Sequence, residues 1–328
     1  MHRKVVELRT LGFWRVKMLG KTAGGLFWMS RQLERSENTV RMMEAGQRMA
    51  LNSVGSEHEA WQSVMRANGG IELSASSDMT SEQIIDFMLR DSNNPSSVLS
   101  CFRLARENAR MVRTAITGEV WEAVNAGWIT VRDLLSRRVT LRELPQVIKS
   151  VRQHTSQVRG ATHGTMLRND IYDFMRVGTF IERADNTARI LDVKYFALIP
   201  AAYMVGVDFH NMHWRMILQA VSAEGGYRMI HGDEFSAEKI TSFMIKDARM
   251  PRSLVFCADK LRTNLHYIHE EHGDQNKSLL LAEALCAQLH AITIQEIMAQ
   301  GLHGFLTATM ADLSQLGLQF EEDYRFYV

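Results

Sequence analysis

The chain has 328 residues, of which 46% are hydrophobic, so it can bury a substantial core as one large domain or two average ones. Its 38 Lys and Arg residues nearly balance its 37 Asp and Glu residues, which argues against a general affinity for nucleic acid or an anionic membrane. No apolar run is long enough to cross a bilayer, and the three widely spaced cysteines indicate reduced thiols, so the sequence predicts a cytoplasmic protein.

Helix-favouring residues dominate the chain from end to end. Only 4 prolines interrupt it, and its abundant Met, Leu, Ala, Arg and Glu residues lose little rotamer freedom in a helix. Thr80 and Gln83 have the spacing of a capping box, and Asn94 before Pro95 is typical of a helix start. Helices are predicted, with no strand, over about 22–50, 57–67, 81–90, 95–116, 118–136, 141–196, 208–222, 237–246, 251–270, 277–299 and 304–325.

The chain also repeats itself. Residues 33–42 and 181–190 share Glu, Arg, Asn, Thr and Arg at matching positions, at an offset of 148. Residues 78–110 align without a gap onto residues 234–266, at an offset of 156 and with many identical positions. Two matches in the same order along the chain indicate more than a coincidence.

A third match lies between those two blocks. Trp61 matches Trp214 at an intermediate offset of 153, so we predict a duplication with halves of about 18–140 and 141–328. No linker rich in Pro, Gly and Ser separates the halves, and a helix is predicted across the midpoint, so we expect them to share one core. The predicted fold class is all-α, a multi-helix bundle of two tandem, pseudo-twofold-related halves.

A motif of the form Glu-Arg-x-x-Asn-Thr-x-Arg lies in two of the predicted helices. Glu34, Asn38 and Arg41 stand at i, i+4 and i+7, so they share one helix face, as do their counterparts in the second copy. The glutamate and the last arginine of each copy are expected to be largely buried, with both sets converging on one polar site. The candidate residues are Glu34, Arg35, Asn38, Arg41, Glu182, Arg183, Asn186 and Arg189.

Two interpretations of this motif stay open. The charged residues form buried ion pairs that lock the register of the helices. Alternatively, they form a ligand site, because a guanidinium group offers a rigid fork of donors to a carboxylate or a phosphate. The guanidinium groups of Arg41 and Arg189 suit the carboxylates of Glu34 and Glu182 equally well.

A second group of candidates follows Pro95. Four arginines form a stripe on one helix face, either as an anion-binding wall or as a solvated face paired with carboxylates. The stripe consists of Arg103, Arg106, Arg110 and Arg113, and the candidate residues in this region and its repeat are Arg106, Asn108, Arg262 and Asn264. No metal or cofactor is predicted, because the chain has no Glu-x-x-His pair, phosphate loop or dinucleotide glycine pattern.

Several motifs in order resemble the bacterial Alpha-E family, an all-helical group. The resemblance is carried by residues 18–29, Arg31, 34–41, 94–98, 105–110, 164–170 and 181–187. It covers residues 18–328, predicted to be a single domain, whereas residues 1–17 are predicted to be a poorly packed N-terminal extension. Gln32 stands where that family usually has an aromatic residue.

The resemblance implies a functional context. Such proteins are typically encoded beside, or fused to, a circularly permuted ATP-grasp protein, often with a transglutaminase-like peptidase. This implies a pathway that forms and trims amide or peptide bonds, with our chain as a helical partner or ligand-binding component for an anionic peptide-like ligand. The chain lacks the nucleotide-binding α/β core that an ATP-grasp ligase needs.

Two alternative functions follow from the same residues. The chain is an enzyme in its own right, with Glu34 or Glu182 as general base on an amide or acyl substrate. The other alternative is a non-catalytic scaffold without a small-molecule site. A deep pocket lined by both motif copies would favour a ligand-binding component or an enzyme over a scaffold.

Overall fold

The computed structural model describes residues 20–52, 57–68, 79–202, 214–215, 217–273 and 276–327. These residues contain helices and no strand, which confirms the all-α prediction. The predicted N-terminal extension, residues 1–17, lies outside the described residues.

Helices of 7 to 33 residues follow one another along the chain. They are α1 Gly20–Asn52, α2 Glu57–Ala67, α3 Ser81–Arg90, α4 Val98–Met111, α5 Gly118–Leu134, α6 Leu144–Thr165, α7 Asp170–Ala202, α8 Glu224–His231, α9 Ala237–Lys246, α10 Leu254–His272, α11 Lys277–Ala291, α12 Ile294–Gln300 and α13 Leu302–Asp323. Residues 214–215 and 217–220 are also helical.

The start of α3 follows the prediction, whereas the start of α4 does not. The Thr80 hydroxyl accepts from the Gln83 amide and the Gln83 side chain accepts from the Thr80 amide, so the predicted capping box is confirmed. Helix α4 begins at Val98 rather than at Pro95, because the Ser97 hydroxyl caps it. Asn94 instead orders the preceding turn, where its side chain accepts from Ser96 N at 2.9 Å.

The predicted helix over 141–196 is wrong at its centre. Helix α6 ends at Thr165, where Met166 turns the backbone to an extended conformation, and α7 begins at Asp170. The predicted helix over 277–299 is likewise broken, because Thr293 forms a capping box with Glu296 and starts α12. Helix α8 was not predicted as an element of its own.

Helices α1 and α7 lie side by side and run in the same direction. Their contacts advance together, from Phe27 beside Gly178 to Met42 beside Asn186. A Cβ atom added at Gly178 would lie 2.3 Å from the Phe27 carbonyl oxygen, so only glycine permits this approach of the two backbones. Helix α4 packs against α1, and α10 packs against α7.

One continuous cluster of buried apolar side chains includes residues from both sides of the midpoint. Equivalent positions of the proposed repeats also make equivalent local contacts. The Cys101 thiol donates to the Pro95 carbonyl at 3.7 Å, and the Cys257 thiol donates to the Pro251 carbonyl at 3.9 Å. Superposition of the halves is the test of the duplication, which stays a prediction, as does the division into domains.

None of the described helices is by itself long and apolar enough to cross a membrane. Helices α11 and α12 reach the required length and composition only together, and the chain bends by 96° between them.

Candidate functional site

Two reciprocal ion pairs join α1 to α7. Glu34 accepts hydrogen bonds from Arg183 Nε at 2.9 Å and from Arg183 Nη2 at 2.8 Å. Glu182 accepts from Arg35 Nε at 2.7 Å and from Arg35 Nη2 at 2.8 Å. Only 4% of Glu34 and 5% of Glu182 are exposed, which agrees with the expected burial. The glutamate of each motif copy therefore binds the arginine of the other copy.

The last arginine of each motif has a different partner from the one that the sequence suggested. Arg41 binds Glu37 through Nε at 3.0 Å and Nη2 at 2.6 Å, and Arg189 binds Asp185 through Nε at 2.7 Å. Both partners lie one helical turn earlier, where side chains of the same helix meet most easily. The Arg189 side chain is 37% exposed, so the expectation that it is largely buried is wrong.

Arg252, in the turn before α10, completes the network. Its Nη1 donates to Asn38 Oδ1 at 2.9 Å, and its Nη2 lies 3.2 Å from Glu34 and 3.5 Å from Glu37. Burial lowers the pKa of Arg252 to about 10, with a further contribution from the positive charge of Arg183. Arg252 was not predicted from the sequence, because it lies outside the Glu-Arg-x-x-Asn-Thr-x-Arg motif.

Both motif glutamates stay ionised. Burial alone would raise the pKa of Glu34, but Arg183 and Arg252 outweigh it and hold this pKa well below its usual range. Burial alone would also raise the pKa of Glu182. Arg35 and Arg31, which donate hydrogen bonds to its carboxylate, outweigh burial and lower this pKa. A carboxylate with a lowered pKa is a weak base, so these glutamates are poorly suited to proton abstraction.

A polar cavity of about 250 Å³, here called the motif cavity, lies beside the second ion pair. Its walls contain residues of both motif copies and are lined by Arg35, Asn38, Asn68, Ser96, Glu182, Asp185, Asn186 and Arg189. Asn38 is 1% exposed, and its Nδ2 has no hydrogen-bond partner among the described residues. The Nδ2 of Asn186 donates to the thioether of Met42, a weak acceptor, at 3.9 Å. The motif cavity therefore combines amide donors with guanidinium and carboxylate groups.

A smaller cavity of about 50 Å³, here called the α6 cavity, lies beside the first ion pair. Its lining consists of Ser30, Leu33, Glu34, Glu37, Thr155, Val158, Arg159, Thr162, His163, Met175, Arg176 and Thr179. The sequence analysis missed Arg159, His163 and Arg176, because α6 and the start of α7 lie outside the repeated motif. The spacing of Arg159 and His163, at i and i+4 on one helix, was the pattern that could have indicated them.

The remaining candidates lie away from the motif. Arg103, Arg110 and Arg113 are exposed, so the stripe on α4 is mainly a solvated face. Arg106 donates to Asn125 at 2.8 Å, and Arg262 is exposed. Asn108 and Asn264 each donate to the backbone carbonyl of the residue four positions earlier.

One group of metal-type donors occurs in the described part of the chain, although the sequence predicts no metal site. Asp259 Oδ1 accepts from the Cys286 thiol at 3.2 Å and lies 2.9 Å from His290 Nε2. Burial and the neighbouring Asp259 carboxylate raise the pKa of Cys286 to about 11. These hydrogen bonds account for the cluster.

The sequence of the chain is similar to a family of known sequences and to mycobacterial proteins. Residues 18–324 match the sequence model of the Alpha-E family, described as a predicted alpha-helical domain with a conserved ER motif. Uncharacterised proteins of Mycobacterium bovis and of Mycobacterium tuberculosis are 23% identical to this chain over 325 residues. The alignment covers 92% of this chain but only 36% of the length of these curated relatives. No solved structure matches the chain.

Proposed function

The chain belongs to the Alpha-E family, and we propose that it is a ligand-binding helical component of an amide- or peptide-ligase system rather than the ligase itself. The motif cavity is the proposed binding site, and a small anionic, peptide-like molecule is the proposed ligand. The proposed partner is a circularly permuted ATP-grasp protein, as the family context implies.

The unpartnered amide of Asn38 is the observation that carries this proposal. A buried donor without an acceptor costs about 1–3 kcal/mol. Because Asn38 lines the motif cavity, a small movement of its amide towards a carbonyl or carboxylate oxygen of a ligand would remove that cost. Asn38 lines the cavity together with Asn186, whose amide donates to a weak thioether acceptor. Two amide donors in one small cavity are suited to a molecule that carries several oxygen acceptors.

Arg189 supplies the complementary charge. Its side chain lines the cavity and is 37% exposed, so an incoming ligand can reach the guanidinium group from solvent. Asp185 binds Arg189 through Nε and Nη2, so a ligand carboxylate would meet the Nη1 side of the guanidinium fork. Anionic peptide-like ligands offer such a carboxylate next to amide groups.

The alternative functions have less support. The low pKa values of Glu34 and Glu182 make a general-base enzyme less suitable, because both carboxylates are weak bases. A pure scaffold would be expected to fill the space between the motif copies, yet about 250 Å³ lies open beside them. The ligand-binding component therefore remains the best-supported proposal.

Calorimetric titration with an acidic dipeptide, Glu-Glu, tests the binding site. We expect Arg189→Ala to weaken binding by roughly 10- to 100-fold, since a charge-assisted hydrogen bond contributes about 1.5–3 kcal/mol. Arg103→Ala, which changes an exposed arginine of α4, serves as the matched control and should bind as the wild type does. Equal affinity of folded Arg189→Ala and wild type would refute the motif cavity as the binding site.

The role beside a ligase has its own test. The isolated chain should neither bind nor hydrolyse ATP, because its sequence has no glycine-rich phosphate loop. Reconstituted with its proposed ATP-grasp partner, folded Arg189→Ala should lower ligation whereas Arg103→Ala should not. ATP turnover by the isolated chain, or ligation that is unaffected by Arg189→Ala, would overturn the proposal.

A further inference from the structure

Arginines outnumber carboxylates around the α6 cavity. Its lining contains two carboxylates, Glu34 and Glu37. The arginines that pair with these carboxylates are Arg41, Arg159, Arg183 and Arg252. Of these four, only Arg159 lines the cavity, and Arg176 is the second arginine in its wall. The five arginines and two carboxylates together carry a surplus of three positive charges.

Arg176 is the least compensated of these arginines. Within the described part of the chain, no carboxylate oxygen lies within 4 Å of its side-chain nitrogens, and Nη1 contacts His163 Nε2 at 3.3 Å. Its guanidinium carbon lies 4.4 Å from the ring centroid of Phe180 and 5.8 Å from that of Tyr172. Aromatic faces and a neutral imidazole attract a cation, but they do not neutralise it.

His163 is neutral in this arrangement. Because Arg176 can only donate, Nε2 of His163 must accept, and Nδ1 then carries the proton towards the Tyr172 hydroxyl at 2.9 Å. Partial burial of the ring and the positive charges of Arg176, Arg168 and Arg159 together lower the pKa of His163 to about 4. The imidazole therefore contributes no negative charge to the cavity.

The carboxylate oxygens in the cavity wall already bind arginines. Glu34 binds Arg183 with both oxygens, and Glu37 divides its two oxygens between Arg41 and Arg159. The remaining polar lining consists of the hydroxyls of Ser30, Thr155, Thr162 and Thr179. The cavity thus presents uncompensated positive charge and hydroxyl groups to whatever occupies it.

The cavity has room for a small anionic group. Its volume is about 50 Å³, whereas one water needs roughly 10–15 Å³ on the same measure. It reaches the surface at His163, which is exposed. A group the size of a carboxylate or a phosphate can enter from this side.

We propose that the α6 cavity is an oxyanion-binding site in which Arg176, supported by Arg159, binds a phosphate or carboxylate group. This site is separate from the motif cavity and goes beyond the proposed function. Arg176 offers the strongest attraction because its charge lacks a carboxylate partner, and the planar fork of a guanidinium group matches both oxyanions.

Nuclear magnetic resonance of the His163 imidazole in the full chain provides the test. Inorganic phosphate and acetate are added separately, with chloride at matched ionic strength as the reference. An anion beside Arg176 opposes the positive field at His163, so the pKa of His163 should rise by about one unit, since a nearby opposite charge shifts a pKa by roughly 1–3 units. Because acetate is partly protonated in the range where His163 titrates, the two anions are compared at equal concentration of their ionised forms, and the larger shift identifies the preferred group.

Arg176→Met removes the charge and keeps most of the stem, so phosphate and acetate should no longer shift the pKa of His163. Arg176→Lys keeps the charge without the fork and should retain a weaker response, which covers the case that Arg176→Met fails to fold. Arg168→Met is the matched control, because Arg168 also lies beside Tyr172, with its guanidinium carbon 4.0 Å from the ring centroid, but does not line the cavity.

The outcomes distinguish an anion that binds at Arg176 from a general effect of added anions on the positive charge around His163. A response that persists in folded Arg176→Met would overturn the proposal, as would equal loss in Arg176→Met and Arg168→Met. The absence of any phosphate or acetate response in the wild type would also overturn it. Binding of Glu-Glu at the motif cavity should be unchanged in Arg176→Met, so failure here is distinguishable from failure of the proposed function.

Discussion

Two sets of helix-borne arginines in this chain look alike in sequence and differ in structure. Arg183 on α7 has a side chain 9% exposed and binds Glu34, which lies 149 residues away along the chain. Arg103 on α4 has a side chain 48% exposed and pairs with Glu107, one turn away, at 3.1 Å. Spacing on a helix is therefore a poor guide to the importance of an arginine. The burial of the pair and the separation of its partners in sequence are what distinguish the two sets.

Breaking a buried pair should give the largest effect. Glu34→Gln leaves Arg183 and Arg252 facing an uncharged group, and removing one partner of a buried pair costs about 3–5 kcal/mol. Glu107→Gln, the matched change in the exposed pair, should cost about 0–1 kcal/mol. Urea unfolding measures both free energies, and similar losses in the two variants would refute the contrast between the two sets.

The close contact of α1 and α7, which brings the buried pairs together, should also be sensitive. Gly178→Ala forces the Phe27 carbonyl away, because an added Cβ would lie 2.3 Å from its oxygen. Overpacking of this kind costs about 1–3 kcal/mol. Gly160→Ala on α6 is the control, since nothing lies within 4 Å of its added Cβ, and it should gain roughly 0.5–1 kcal/mol from helix propensity. Unchanged stability of Gly178→Ala, measured by thermal unfolding, would show that the backbones can separate without loss.

Acid should weaken the buried network. The pKa of Glu182 in the folded protein lies below the 4.5 that is usual for a glutamate, so the unfolded chain takes up the proton first as the pH falls. This contribution is complete above pH 4.5 and is lost below it, by up to about 1.4 kcal/mol per pH unit for each such group. The free energy of unfolding in urea should therefore fall more steeply from pH 6 to pH 3 for the wild type than for Glu182→Gln. Parallel curves would place the Glu182 carboxylate outside the network.

A buried polar group without a partner should show the smallest effect, and in the opposite direction. Gln32, on α1 beside the motif, is 6% exposed, and its Oε1 accepts no hydrogen bond from the described part of the chain. Gln32→Met removes this unsatisfied acceptor at similar size and should stabilise the protein by about 1 kcal/mol. Gln153→Met, at an exposed position of α6, should leave the melting temperature unchanged. A lower melting temperature for Gln32→Met would indicate that Oε1 has an acceptor role in solution.

The sequence predicted the helical class, the motif and the capping box at Thr80, because these depend on neighbours along the chain. It did not predict which charged groups meet, because Glu34 has suitable arginines on its own helix face and nothing local favours Arg183. Arg252 and Arg176 could not be predicted either, since neither belongs to the repeated motif. The break at Met166 was missed although Gly164 and Asn169 flank it, and Asn169 Oδ1 accepts from Tyr172 N at 3.5 Å at the start of α7.

A double-mutant cycle on Glu34 and Arg183 tests the central claim most directly, namely that the two motif copies are joined by reciprocal buried ion pairs. Urea unfolding would give the free energies for Glu34→Gln, Arg183→Met and the combined variant. We predict that the combined variant loses less than the sum of the two single variants, by a coupling energy of about 1–3 kcal/mol. Additive losses, with a coupling energy below about 0.5 kcal/mol, would contradict the direct pairing of Glu34 with Arg183.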